Sequence, residues 1–140
     1  TLMKRSVFKL DPKKKDSKLD RFRKIAKEAA EQSYRQRITQ IPDIIDLKKI
    51  DFSKYTTKIV CYEESAKDGE LTNFKTAIKN LKPNEKVAII VGPEGGIDDS
   101  EIKYLESQGF IKASVGRRIL RTETVVFYCL SAISYEWELK

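Results

Sequence analysis

Apolar positions recur along this chain in two rhythms, one helical near the start and one strand-like from about Lys58 onward. Leu19, Phe22, Ile25, Ala26, Ala29, Ala30 and Ser33 fall three and four residues apart, which predicts an amphipathic helix from about Ser17 to Arg35. Ser17 followed by Asp20 has the spacing of a capping box, and basic residues occupy the opposite face. Pro42 ends a short apolar segment, Ile38 to Ile41, and Asp43 to Tyr55 reads as a short helix and a loop. Lys58 to Glu63 reads as a buried strand, and Leu71, Phe74, Ala77, Ile78 and Leu81 share one face of a helix. After a turn at Lys82-Pro-Asn, the unbroken apolar run Lys86 to Val91 has the character of a strand covered on both faces. Asp98 or Asp99 is placed to cap a helix reaching about Gln108, with Gly109 as its terminator. Phe110 to Val115 is a further strand. Beyond a loop from Gly116 to Thr122, Glu123 to Glu138 is apolar on most sides, which predicts a buried helix, partly covered by another subunit. Alternation of strand and helix predicts an α/β domain with a mainly parallel sheet flanked by helices.

Length and composition narrow the class. A chain of 140 residues, 40% apolar and 35% charged, fits one ordinary domain with a heavily solvated exterior. The longest apolar stretch, Val125 to Ile133, is far short of the ~20 residues of a spanning helix, so no membrane partner is expected. Cys61 and Cys129 have neither metal-ligand spacing nor a CxxC pattern, so no metal is expected, and two core thiols suit a reducing cytoplasm. Charge is concentrated in the first half: residues 1–70 hold 18 Lys and Arg against 12 Asp and Glu, a net of +6, leaving +1 for the remainder. Lys13, Lys14, Lys15, Lys18, Arg21, Arg23, Lys24 and Lys27 form a field that would attract a phosphate polyanion, although a solvated lysine-rich face is the simpler reading.

Two loops hold the candidate chemistry. Val91-Gly-Pro-Glu-Gly-Gly96 leaves a predicted strand and precedes a predicted helix, as does Val115-Gly-Arg-Arg-Ile-Leu-Arg-Thr-Glu-Thr-Val125. Ligands gather at the carboxyl ends of parallel strands, so two such loops imply one shared pocket. The first is neither a dinucleotide fingerprint nor a Walker loop, which leaves hydride transfer and ATP hydrolysis unsupported. Its glycines permit close backbone approach to a flat ligand, Pro93 stiffens the turn, and Glu94 places a carboxylate at the rim. A tight strand-to-helix turn would explain the glycines alone. Arg117, Arg118 and Arg121, clustered with Thr122, Glu123 and Thr124, are harder to explain as a connector and have the makings of a phosphate-binding group steadied by Glu123.

The three segments EAAEQSYR, GPEGG and GRRILRTET, in this order along the chain, resemble the RsmE-type ribosomal RNA uridine methyltransferases of the SPOUT superfamily, from about Arg5 to the C-terminus. The resemblance implies an α/β fold with a deep trefoil knot, S-adenosylmethionine as methyl donor, a homodimer, and methylation of ring nitrogen 3 of one uridine in 16S ribosomal RNA of the small subunit. It also implies a cofactor site formed by the strand end at Cys61, Tyr62 and Glu63, by Val91, Gly92, Glu94, Gly95 and Gly96, and by Val115, Gly116, Arg118, Ile119, Leu120 and Arg121. Backbone groups there would meet the adenine edge, with Ile119 and Leu120 as apolar walls. Gln32, Ser33 and Arg35 match a helix-end motif that faces the pocket or its RNA side, unless they serve only capping and packing. Arg21, Lys24, Arg35 and Arg117 are the expected RNA contacts.

With no His in the chain the usual general base is missing, and nitrogen methylation needs no Cys nucleophile. Arg118 or Arg121 is expected to stabilise the developing uracil anion, with Glu123 orienting an arginine or accepting the imide proton. Two departures from the family pattern, Ile97 for an aromatic residue and Val125 for Ala, exchange apolar groups. Residues 1–140 are expected to be a C-terminal methyltransferase domain, since nothing matches the family's N-terminal PUA-like RNA-binding domain or its first catalytic strand and helix. Two alternatives stay open: another knotted methyltransferase acting on transfer RNA or a ribose 2′-hydroxyl, and a basic, non-catalytic RNA-binding module of the ribosome.

Overall fold

The computed structural model describes residues 3–6, 11–67, 69 and 71–139. They divide into two compact units, one running from Asp11 to Lys49 and the other joining Met3–Ser6 to the stretch from Ile50 onward.

The first unit is built on helix α1, Lys15–Gln32, entered from a tight turn at Pro12–Lys14. The expected capping box at Ser17 and Asp20 is absent, because winding starts earlier: the residue before the helix is Lys14, with no side-chain cap. Asp11 starts the winding instead, its carboxylate accepting from Lys13 N–H at 3.0 Å and its carbonyl from Lys14 N–H at 3.0 Å. Asp-Pro is a helix-start signal in its own right, an acceptor followed by a residue with no N–H to satisfy. α1 stops at Gln32, short of Arg35, where Ser33 folds its hydroxyl back onto the Ala29 carbonyl at 2.7 Å and Tyr34 takes a φ of 52°. Leu19 and Ala30 are buried, whereas Phe22 and Ile25 on the same stripe stay exposed. Lys15 pairs with Asp43 at 2.7 Å, and the short helix expected after Pro42 is one turn, Leu47–Lys49.

Among the described residues the second unit holds a three-stranded parallel sheet of β1, Thr57–Cys61; β2, Val87–Val91; and β3, Ile111–Ala113, in the order β2-β1-β3. Between β1 and β2 lie α2, Glu64–Lys67, and α3, Asn73–Lys79; α4, Asp99–Ser107, joins β2 to β3, and α5, Thr122–Glu138, follows. The apolar run 86–91 had the look of the doubly covered strand, but β2 is at the edge and buries alternate residues, Ala88 and Ile90. β1 is the central strand, and consecutive side chains on its opposite faces, Ile59 and Val60, are both 0% exposed. On the Ile59 face, Phe74 and Ile78 of α3, Ala113, and Val125 and Cys129 of α5 close the main core. Trp137 reaches from α5 to the Ile78 carbonyl at 3.4 Å. On the other face Lys58 donates to the Gln108 carbonyl at 2.8 Å, which sets α4, with buried Ile102 and Leu105, on that side.

Both crossovers obey their local signals. α4 opens on a true capping box: Asp98 accepts from Ser100 N–H at 3.1 Å, and Glu101 accepts from Asp98 N–H at 3.2 Å. Gly109, with φ 83°, ends it, a left-handed conformation that suits glycine. α5 departs from the expected burial. Only Val125 and Cys129 are buried along it, while Phe127 is 70% and Leu130 59% exposed. One side of the helix meets the sheet and α3, whereas Phe127 and Leu130 have no cover among the described residues.

Glu101 is itself buried and carries a second duty, accepting the Lys4 N–H at 2.8 Å. Glu101→Ala strands both N–H donors and is expected to cost about 2 kcal/mol in a urea unfolding series, whereas Glu101→Gln keeps most of that. Hydrogen bonds from Ser100 and then Lys4 hold the Asp98 carboxyl down at about 2, below its ordinary 3.8. A depressed folded-state pKa contributes stability above the unfolded value and loses it as pH falls through the folded one. The urea midpoint of the native chain should therefore fall between about pH 4 and pH 2, and Asp98→Asn, which still caps, should flatten that part of the profile.

Candidate functional site

Parallel pairing sets Cys61 level with Val91 on one side and with Ala113 on the other, so three strands end on one edge. The loops leaving them, Tyr62–Glu64, Gly92–Ile97 and Ser114–Leu120, enclose a cavity of about 380 Å³ together with Arg5. That is the size and position of a small-molecule site in an open α/β sheet.

Each loop is held by its own polar contacts. Tyr62 N–H donates to the Ala113 carbonyl at 3.1 Å, tying the first loop to β3. The second closes a turn from Gly96 N–H to the Pro93 carbonyl at 2.8 Å. Gly96 sits at φ 76°, and a Cβ on Gly92 would stand 2.6 Å from Ile97 Cγ1, so side chains are excluded at both. In the third loop, buried Ser114 donates to the Gly116 carbonyl at 2.9 Å and accepts its N–H at 3.1 Å. Thr122 at the start of α5 donates to the Gly92 carbonyl at 3.2 Å and joins the second loop to the third.

Of the residues singled out from sequence, Tyr62, Glu63, Val91, Gly92, Gly96, Val115, Gly116, Ile119 and Leu120 line the cavity, with Arg117 and Arg118 beside them. Glu94, Arg121 and Glu123 line a second recess that shares Glu63, Gly96, Ile119 and Leu120 with the first. Gly95 lines neither. A Cβ there would meet the Arg5 carbonyl oxygen at 2.7 Å, so this glycine is required by the packing of Met3–Ser6. Arg21, Lys24, Gln32, Ser33 and Arg35 are exposed residues of the first unit. Arg5, Pro93, Ile97, Ser114 and Val125 also line the cavity without having been singled out for it. The serine had a readable signal, a short polar side chain two residues before a glycine; Arg5 had none, being some ninety residues from its neighbours.

Two ionisable groups on the wall are held neutral. The Cys61 thiol lies 3.6 Å from Cys129, and that hydrogen bond, with burial, pushes its pKa up, so it is no thiolate nucleophile at neutral pH. Burial and then the charges of Asp99 and Glu64 raise the Tyr62 phenol in the same direction. Among the described residues no His, Cys, Asp or Glu group could hold a metal ion, and no helix is long and apolar enough to cross a membrane.

Comparison with known proteins agrees with this architecture. A family model described as an RNA methyltransferase domain matches residues 1–134. The chain is 44% identical to ribosomal RNA small subunit methyltransferase E of Bacillus subtilis, over 96% of this chain and 54% of that protein. It is 32% identical to the protein of the same name from Mesomycoplasma hyopneumoniae, over 83% of this chain and 48% of that one. It thus spans about half the length of these relatives. A methyltransferase structure from Legionella pneumophila with the cofactor SAM bound superposes with a TM-score of 0.81 at 29% identity, over 95% of this chain and 52% of that one. Ribosomal RNA small subunit methyltransferase E from Neisseria gonorrhoeae, bound to S-adenosyl methionine, gives 0.69 at 28% identity, over 89% and 50%. The chain belongs to the RNA methyltransferase domain family, in its ribosomal RNA small subunit methyltransferase E branch.

Proposed function

We propose that this chain is the catalytic part of an S-adenosylmethionine-dependent methyltransferase that modifies ring nitrogen 3 of a uridine in 16S ribosomal RNA. The observation that carries this reading is the cavity of about 380 Å³ at the three strand ends, in a chain similar throughout to named ribosomal RNA methyltransferases. The residues present suit the cofactor. Val115, Ile119 and Leu120 offer apolar walls to a purine, the loop backbones offer donors and acceptors, and Gly92 and Gly96 allow close approach. When bound, the cofactor supplies an electrophilic methyl group on a sulfonium.

The chain's own residues then have to manage one proton and one developing negative charge. Nitrogen methylation needs no covalent adduct, which agrees with the neutral, half-buried Cys61 thiol. In the second recess Arg121 and Glu123 stand together next to the cavity that Arg118 lines. Arg121 or Arg118 neutralises the uracil anion, and Glu123 orients the arginine or receives the imide proton. The exposed basic residues Arg21, Lys24 and Arg35, with Arg117 at the cavity, contact RNA phosphates.

The knot that the family resemblance implies and a cytoplasmic homodimer complete the proposal. The bare apolar side of α5, with Phe127 and Leu130, supports pairing between two copies. The relatives' additional length leaves room for the PUA-like RNA-binding domain that the resemblance implies.

With S-adenosylmethionine and unmethylated small subunits both saturating, Arg121→Ala and Glu123→Gln should each lower turnover by roughly a hundredfold; full turnover in both would remove these residues from the mechanism. Sedimentation of the native chain should show a dimer, and Phe127→Lys with Leu130→Glu a folded monomer; a native monomer at micromolar concentration would exclude the pairing.

A further inference from the structure

The cavity holds two opposite charges that methyl transfer to uracil does not use. Arg5, from the Met3–Ser6 segment, and Glu63, just beyond β1, both line it. They flank a single residue: a Cβ at Gly96 would stand 3.8 Å from Glu63 Oε1 and 3.9 Å from Arg5 Nη1. Because Gly96 has no side chain, both charges remain open to whatever occupies the space over it.

Arg5 is held in place from several directions. Lys4 N–H donates to buried Glu101 at 2.8 Å, Lys4 Nζ lies 2.6 Å from Ser100 Oγ and 3.2 Å from Asp98, and the Arg5 carbonyl packs on Gly95. The guanidinium reaches Asp98 through Nη2, at 3.8 Å, while Nη1 is the nitrogen nearest Gly96. Glu63 has no hydrogen bond or ion pair among the described residues. An arginine and a carboxylate that share a cavity wall without pairing match a ligand end carrying both charges, a carboxylate for the guanidinium and an ammonium for the glutamate. An RNA phosphate would satisfy Arg5 but be repelled by Glu63.

We infer that Arg5 and Glu63 recognise the α-amino-acid end of the methyl donor, Arg5 binding its carboxylate and Glu63 its ammonium. This rests on the reading of the cavity as the S-adenosylmethionine site. It makes the Met3–Ser6 segment part of cofactor selection, since the same clasp that fixes Lys4 on α4 delivers the Arg5 guanidinium to the cavity.

Calorimetric titration with S-adenosylhomocysteine and with 5′-methylthioadenosine, which has the adenosine and thioether but no amino-acid end, tests it. The native chain should prefer S-adenosylhomocysteine. Arg5→Gln and Glu63→Gln should each weaken that ligand roughly tenfold, and leave methylthioadenosine within about twofold, as expected for one lost charge-assisted contact. Arg5→Lys should recover part of the loss. Unchanged methylthioadenosine binding also shows that each variant is folded. The inference is overturned if the native chain binds both ligands equally, if the variants keep the native preference, or if they weaken both ligands alike, which would reveal a contribution to cavity shape only. If the native chain binds neither ligand, the methyl-donor reading falls as well.

Discussion

Placement of β1 at the centre of a parallel sheet is the constraint on which the second unit depends. A strand with Ile59 and Val60 both sealed from water must be covered on two faces, and parallel neighbours can be reached only by crossovers long enough to hold helices. α3 and α5 therefore cover one face and α4 lies on the other. The same pairing makes β1, β2 and β3 end level with one another at Cys61, Val91 and Ala113. Three loops are thus delivered to one edge before any of their side chains is specified.

The loops become a site because small polar groups stitch them together. Thr122 ties the start of α5 to the Gly92 carbonyl, Ser114 holds the turn at Gly116, and the first loop is hydrogen-bonded to β3 through Tyr62. Glycine is needed at Gly92 and Gly96 because a side chain would clash or strain, and at Gly95 because Arg5 occupies the space. Arg5, Glu64, Arg117 and Arg118 line the main cavity, Glu94, Arg121 and Glu123 the recess beside it, and Glu63 lies on both. α5 links the wall of the cavity, through Val125, to an apolar surface that stays exposed among the described residues.

Much of the local structure was legible along the chain. Periodicity located α1 and α3, apolar richness located α5, the apolar runs located β1 and β2, and Asp98 with Gly109 bounded α4. Errors fell where two local signals competed or where coverage was inferred from composition. Ser17 and Asp20 had capping spacing, but Asp11-Pro12 nucleates the turn first. The apolar richness of α5 suggested burial, yet a helix resting on a sheet and one neighbour can bury only one side. α2 is a single turn and has too few residues for a period to show.

The two glycine-bearing loops were visible as a site because their residues are adjacent in the chain and their chemistry is unusual for connectors. Helix and strand preferences, caps and turns likewise act over a few residues, so they can be read from the order of amino acids. Strand order, the choice of β1 as the central strand, and the arrival of Arg5 beside Gly95 and Gly96 are different in kind. They depend on pairings between segments thirty to ninety residues apart, and such pairings are chosen by the mutual burial of whole faces, which no local pattern records.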